Sequence, residues 1–346
     1  MSKKIKIAIS AALIISFSLT TIWSTTPNLF FNQLAFLVLG IFIVFLFYRF
    51  DLGVLFSISP IFYLVSLILL VLTLILGEPV RGATRWLGPL QTSEAVKPLL
   101  TIFYANFLAN HDINKIKNLL IYGVLALIPA ILIKVQPDLG SSLVLLSLAG
   151  LMAIFAGLNK KIILLLAVSF IALIPIAPKI LKNYQLDRIE SFINPQSDPQ
   201  GTGYNVIQSV IAIGSGGILG KGVRLGTQSH LNFLPERHTD FIFASFAEEF
   251  GLVGVLLALA AYYYLFINLF KEITSLREKN TKLLHLGILW IFLFQVIVNV
   301  GMNLGLMPVT GITLPLFSYG GSSLISFMAL LGLSVNLLEL TPRFRV

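Results

Sequence analysis

Apolar runs of about 20 residues recur along the whole chain, and that recurrence restricts the fold more than any other feature. Roughly 20 residues of α-helix cross a bilayer core about 30 Å thick. Backbone N–H and C=O groups find no water there, so a spanning segment is helical or part of a closed barrel. Residues are 57% hydrophobic and only 11% charged, against roughly 45–50% and about 25% in soluble domains. The expected fold class is all-α, a polytopic integral membrane bundle. No polar block is long enough to build its own core, so residues 1–346 read as a single transmembrane domain.

Ten spans can be placed, at about 7–24, 29–48, 57–76, 93–110, 118–134, 140–157, 162–178, 241–269, 283–303 and 322–339. The start MSKKIK and its apolar run look like a signal peptide, but TTIWSTTPN is a poor cleavage site, so an uncleaved first span is expected. After the third span GEPVRGATRWLGPLQTSE reads as a polar turn whose Gly and Pro break any helix. Residues 179–239 form a long polar segment between spans seven and eight. Within it, Tyr204 to Ile213 has the spacing of a short interfacial amphipathic helix, and Gly214, Gly216, Gly217, Gly220 and Gly222 read as a flexible connector.

Lys and Arg orient the bundle. With a cytoplasmic N-terminus, inside segments carry 14 of them, whereas short outside segments carry Arg81 and Arg85, with Lys97 and Lys134 close by. Both termini are then cytoplasmic and the long segment is extracytoplasmic. The net charge of +9 does not imply nucleic acid, because the basic residues lie mostly between apolar segments, where they meet membrane lipid headgroups. The chain has no cysteine, which excludes disulfides and thiol chemistry, and its 4 histidines lack the clustered spacing of a zinc site. No internal repeat is evident, which counts against an inverted-repeat transporter.

Of the 15 acids, 10 fall on the outer side or in outer helix halves. They are densest in LNFLPERHTDFIFASFAEEFG at 231–251. Asp240 has two readings. It is a favourable first-turn residue of a helix capped by Thr239, or a membrane-edge general base beside Phe241 and Phe243. Glu248 would lie about 12 Å deeper along that helix, so it and Glu249 read as helix-bonding residues. Glu94 and Lys97, one turn apart, either pair to fix helix packing or line a cavity for a charged substrate. Asp138 sits at a helix end beside Pro137 and Gly140, as a cap or part of a polar network. His238 is a proton carrier or a hydrogen-bonding residue. Arg81, Arg85, Lys182, Arg188, Lys221, Arg224 and Arg237 offer outward cations suited to phosphate or to headgroups. IGSGGILGKG follows no strand, so it is neither a P-loop nor a dinucleotide fingerprint.

NPQSDPQGTGYNVIQSVIAIGSGG, GTQSHLNFLPERHTD, PERHTDFIFASFAEEFGLVG and GITLPLFSYGGSSL closely resemble the SEDS family (shape, elongation, division and sporulation) over nearly the whole chain. Arg237 before His238 and the GTQS run at 226–229 resemble the elongation-type RodA branch rather than the division-type FtsW branch. The resemblance implies a ten-helix peptidoglycan glycosyltransferase that polymerises lipid II beside a class B penicillin-binding protein, the transpeptidase. It places the essential acid at Asp240, the fourth-helix Glu and Lys at Glu94 and Lys97, the Arg of the RW motif at Arg85 and the Asp of QPDLG at Asp138. Thr92 and Thr313 depart from the family, which has Pro at both positions.

On this reading Asp240 is the base, and Arg85, Lys97, Arg224 or Arg237 hold the pyrophosphate, with His238 a substrate contact. No cofactor is called for with certainty; a divalent cation, Mg²⁺ or Mn²⁺, stays open, since such ions leave no clear motif. A lipid II flippase is the alternative, but the inner helix halves carry almost no acids along which to build a path. A scaffold would leave the outer acids without chemistry.

Overall fold

The computed structural model describes residues 3–80, 83–173, 175, 183–199, 201 and 203–338. Arg81, Lys182, the end of the seventh span and the basic tail lie outside the described residues. Among the described residues, ten helices fall on the ten expected spans, the seventh followed as far as Leu173: α1 (Lys3–Thr25), α2 (Pro27–Arg49), α4 (Ser59–Leu76), α5 (Thr92–Asn110), α6 (Ile116–Val135), α7 (Leu139–Phe155), α8 (Lys160–Leu173), α12 (Ile242–Ile273), α13 (Lys279–Asn303) and α14 (Gly321–Leu337). Between them lie the short helices α3 (Leu52–Ser57), α9 (Asn183–Ile193), α10 (Tyr204–Ser215) and α11 (Thr227–His230). Six of the ten (α1, α2, α4, α6, α12 and α13) are long and apolar enough to cross a membrane by length and composition alone. Their apolar windows differ in depth: 11% of that of α2 is buried but 72% of that of α13. So α13, with α5 beside it, is central, and α2 turns side chains such as Phe31, Val38 and Phe42 outward, toward lipid.

The turn after α4 is a small antiparallel sheet, the one departure from an all-α chain among the described residues. Strands β1 (Glu78–Val80), β2 (Ala83–Leu87) and β3 (Leu90–Gln91) lie in that order. Trp86 pairs with Gln91 and Leu87 with Leu90, leaving Gly88 and Pro89 as a two-residue hairpin loop. Gly88 takes φ +59 at its first position, the geometry such a loop needs. Gly and Pro break the helix as expected, but here they shape a hairpin. The Gln91 amide then donates to Ser322 Oγ at 2.8 Å, which ties the sheet to the start of α14.

The glycine-rich stretch after α10 is a built element, not a flexible connector. Helix α12 breaks at Gly251 (φ 63, ψ −166), and the glycine-rich backbone fills the break. Lys221 N and Gly222 N donate to the carbonyls of Glu248 and Glu249, each at 3.0 Å, while Leu252 N and Val253 N donate to Gly217 O and Ile218 O at 2.9 and 3.1 Å. A side-chain carbon at Gly251 or Gly220 would overlap the opposing backbone. Irregular backbone at membrane depth persists only where protein satisfies it, and here another chain segment does so.

Candidate active site

A cavity of about 630 Å³ opens at the end of the bundle that carries the sheet. Arg85 and Trp86 of β2, Arg188 of α9, the 236–240 loop and the 311–323 loop line it. The sheet carries Arg85, whose Nη2 donates to the carbonyl of Pro137, a contact that orients the guanidinium. Asp138 stands behind that contact. It is 1% exposed, caps α7 through the Ser141 amide at 3.0 Å and accepts from Ser93 Oγ at 3.0 Å. Of its two sequence readings the structure contains both, a cap and a network member, and it does not line the cavity.

Asp240 lines the cavity, but not from the first turn of a helix. Helix α12 starts at Ile242 with Phe241 at its cap position, and no side chain caps it. Thr239 instead donates to Glu236 Oε2 at 3.0 Å, inside a turn closed by the Phe241 amide on Glu236 O. Ser318 Oγ holds Thr239 O at 2.7 Å, and the Tyr319 amide holds His238 O at 2.8 Å. His238 also lines the cavity, its ring edge-on to Tyr319 with centroids 5.6 Å apart. Opposite lies Gly311, at φ +73. A β-carbon there would stand 3.7 Å from Asp240 Oδ2 and 3.9 Å from Arg85 Nη1, so carboxylate and guanidinium face one shared volume.

Glu94 and Lys97 do not line the cavity. They are 3% and 1% exposed and pair at 2.6 Å. Pro98 has no N–H to give the Glu94 carbonyl, the bond a helix would form there. Ser326 Oγ takes its place at 2.9 Å. With its carboxamide oriented to satisfy both neighbours, Gln295 accepts from Lys97 Nζ at 2.7 Å and donates to Thr313 O at 3.2 Å. The ion pair thus reaches the cavity wall through one side chain. Thr313 Oγ1 meets Ser323 Oγ at 2.8 Å, and Thr73 Oγ1 donates to Thr92 Oγ1 at 2.9 Å. Both threonines that depart from the family pattern therefore carry bonds a proline could not.

Arg224 and Arg237 are not brought to the cavity. The Arg224 guanidinium stacks over the Trp23 ring at 4.1 Å, and its backbone, at φ 66, donates to Ser24 Oγ at 2.9 Å. Arg237 donates to Asn232 Oδ1, and burial lowers its guanidinium from its ordinary value. Glu248 is fully buried and bonds the loop around α11: it accepts from Gln228 N (2.9 Å), Ser229 N (3.0 Å), Ser229 Oγ (2.8 Å), Thr227 Oγ1 (3.2 Å) and Lys221 Nζ (3.1 Å). Glu249 accepts from Ser24 Oγ, joining α12 to α1. Residue-type reasoning missed Asn299 and Asn303, because it looked for charge. Both are fully buried on α13 and donate to the Asp240 carbonyl at 3.0 Å. The signal was legible as Gln295, Asn299 and Asn303, three amides four residues apart in an apolar helix.

The family model described as "Cell cycle protein", for FtsW, RodA and SpoVE, matches residues 4–341. The chain belongs to the FtsW/RodA/SpoVE family. Among FtsW/RodA/SpoVE relatives, the peptidoglycan glycosyltransferase MrdB of Escherichia coli K12 is 43% identical over 287 residues, covering 81% of this chain and 77% of MrdB. One solved structure, from work on how a peptidoglycan synthase complex coordinates polymerization and crosslinking, superposes with a TM-score of 0.83 at 36% identity over 98% of both chains. The rod shape determining protein RodA of Thermus thermophilus gives a TM-score of 0.73 at 32% identity over 97% of both. Membership fixes the fold as a multi-pass membrane protein of the FtsW/RodA/SpoVE kind.

Proposed function

We propose that the chain is the peptidoglycan glycosyltransferase of cell elongation, polymerising lipid II into glycan strands with Asp240 as its base. One observation carries this reading: Asp240 and Arg85 face the same volume across Gly311, in a cavity at the ends of membrane helices. The activity named for E. coli MrdB supports it.

In the reaction, the sugar 4-hydroxyl of one lipid II attacks the anomeric carbon of the growing strand. The C1–O4 bond forms as the bond from C1 to the pyrophosphate oxygen breaks. Asp240 takes the hydroxyl proton, and undecaprenyl pyrophosphate leaves with the bonding electron pair. The α linkage becomes β-1,4, so a single displacement needs one base and charge stabilisation for the leaving group. Arg85 supplies the latter with a planar fork that matches phosphate oxygens, and Arg188 adds charge to the same wall. Glu94 and Lys97 support the wall through Gln295. Among the described residues no three His, Asp or Glu side chains gather to hold a metal ion.

Basic residues at the end opposite the cavity, such as Lys3, Arg49, Lys115 and Lys160, support a cytoplasmic location for that end and an extracytoplasmic cavity. The likeness to a chain studied in a peptidoglycan synthase complex supports a class B penicillin-binding protein as partner.

The test is polymerisation of fluorescent lipid II by the purified protein in liposomes, with and without the partner. Polymer is expected from the wild type and none from Asp240→Asn at unchanged monodispersity. Normal polymer from that variant overturns the base assignment. Lipid II translocated without change in size would instead establish the flippase.

A further inference from the structure

Asn299 and Asn303 explain why Asp240 stands outside a helix. In a continued α12, the Ala244 amide would donate to Asp240 O, four residues back. It donates instead to Asn303 Oδ1 at 3.1 Å. Asn303 Nδ2 then donates to Asp240 O at 3.0 Å. One carboxamide is thus inserted into what would be a helical hydrogen bond, satisfying both of its ends. Asn299 Nδ2 fills the second lone pair of the same carbonyl at 3.0 Å and also reaches Ile312 O at 2.8 Å. The next bond of the helix, Ser245 N to Phe241 O at 3.2 Å, is regular, so the interception falls on Asp240 alone.

The bonds end on Asp240 O and Ile312 O, in two irregular segments whose residues Asp240 and Thr313 line the cavity. Gln295, one turn further along α13, completes the pattern by joining Lys97 to Thr313 O. Amides buried in a membrane helix serve commonly to join helices. Here they join α13 to the loop of the acid and the loop facing it.

We propose that Asn299 and Asn303 are positioning residues: they keep Asp240 out of α12, so that its carboxylate meets the acceptor hydroxyl beside Arg85. This rests on the reading of Asp240 as base. Without Asn303, the Ala244 amide reclaims Asp240 O, the helix extends by a residue or two, and the carboxylate turns away from the space over Gly311.

The experiment uses Asn303→Leu and Asn303→Asp in the full-length protein with its partner, assayed for lipid II polymerisation. Asn303→Asp keeps volume and the acceptor for Ala244 while losing the donor to Asp240, so it serves even where the leucine variant fails to fold. The expected result is a fall in kcat of at least about ten-fold with KM for lipid II within about two-fold, since the substrate-binding groups stay in place. In an Asp240→Glu background, which already displaces the carboxylate, the same substitution is expected to cost clearly less, because groups acting through one another are not additive. An unchanged kcat, a rise confined to KM, or equal costs in both backgrounds overturns the proposal. Asp240→Asn run in parallel separates the two claims. Its normal activity removes the base reading; its inactivity, beside wild-type kcat in both Asn303 variants, removes only the positioning role.

Discussion

Removal of the Glu248 carboxylate measures how firmly the segment before α12 is held. Six donors converge on it: two backbone amides, three hydroxyls and the Lys221 ammonium. Hydrogen bonds to a charged group contribute about 1.5–3 kcal/mol each, but the six share one acceptor group and do not add. Lys221 is 26% exposed and can turn to water, whereas Ser229 is fully buried and cannot. Breaking a buried pair by deleting one partner costs about 3–5 kcal/mol. Glu248→Ala is therefore expected to lower the local opening free energy of residues 221–230 by about 3–5 kcal/mol. At 1.4 kcal/mol per factor of ten, amide exchange at Gln228 and Ser229 accelerates by at least about 100-fold, read by hydrogen–deuterium exchange in detergent or nanodiscs. Amides in the middle of α5 stay at their wild-type rates, since the change is local. Glu248→Gln, which keeps one acceptor oxygen, falls between. Acceleration below about five-fold in Glu248→Ala would refute the reasoning, because the carboxylate would then be replaceable by water.

Gly311→Ala places a methyl in the volume shared by Asp240 and Arg85; the positive φ costs about 1–2 kcal/mol, so the protein is expected to stay folded in thermal scans while polymerisation falls at least about ten-fold. Lys97→Met leaves Glu94 buried without its partner and is expected to destabilise by about 3–5 kcal/mol, whereas the Glu94→Gln, Lys97→Met double variant recovers most of that loss in the same unfolding assay. Gly251→Ala combines a strained φ with overlap against Gly220, and a loss of monodisperse protein on size exclusion is the expected outcome.

The ten spans were legible because each needs only an apolar run of sufficient length, a local property. The sheet at 78–91 was not, since Gly and Pro signal the end of a helix without saying that short strands follow. The three of the expected site residues that line the cavity, Arg85, His238 and Asp240, lie within motifs whose order along the chain matches a family. Arg224 and Arg237 carry the same charge and sit on the same side of the bundle. Which guanidinium reaches the cavity depends on the path of a loop, and Arg224 is diverted by Trp23 and Ser24, two hundred residues earlier. Asp240 was placed one step too far into its helix because the group that stops the helix, Asn303, comes from another element.

The break in α12 has a consequence for exchanging parts between related proteins. The carbonyls of Glu248 and Glu249 find their donors in Lys221 and Gly222, and the amides of Leu252 and Val253 find their acceptors in Gly217 and Ile218. A chimera that swaps the long loop alone, or the helix alone, joins two halves shaped by different partners and strands backbone groups where no water reaches. The transplantable cassette is the stretch from 216 to 253 taken whole, and drift on one side of the break is expected to be matched on the other.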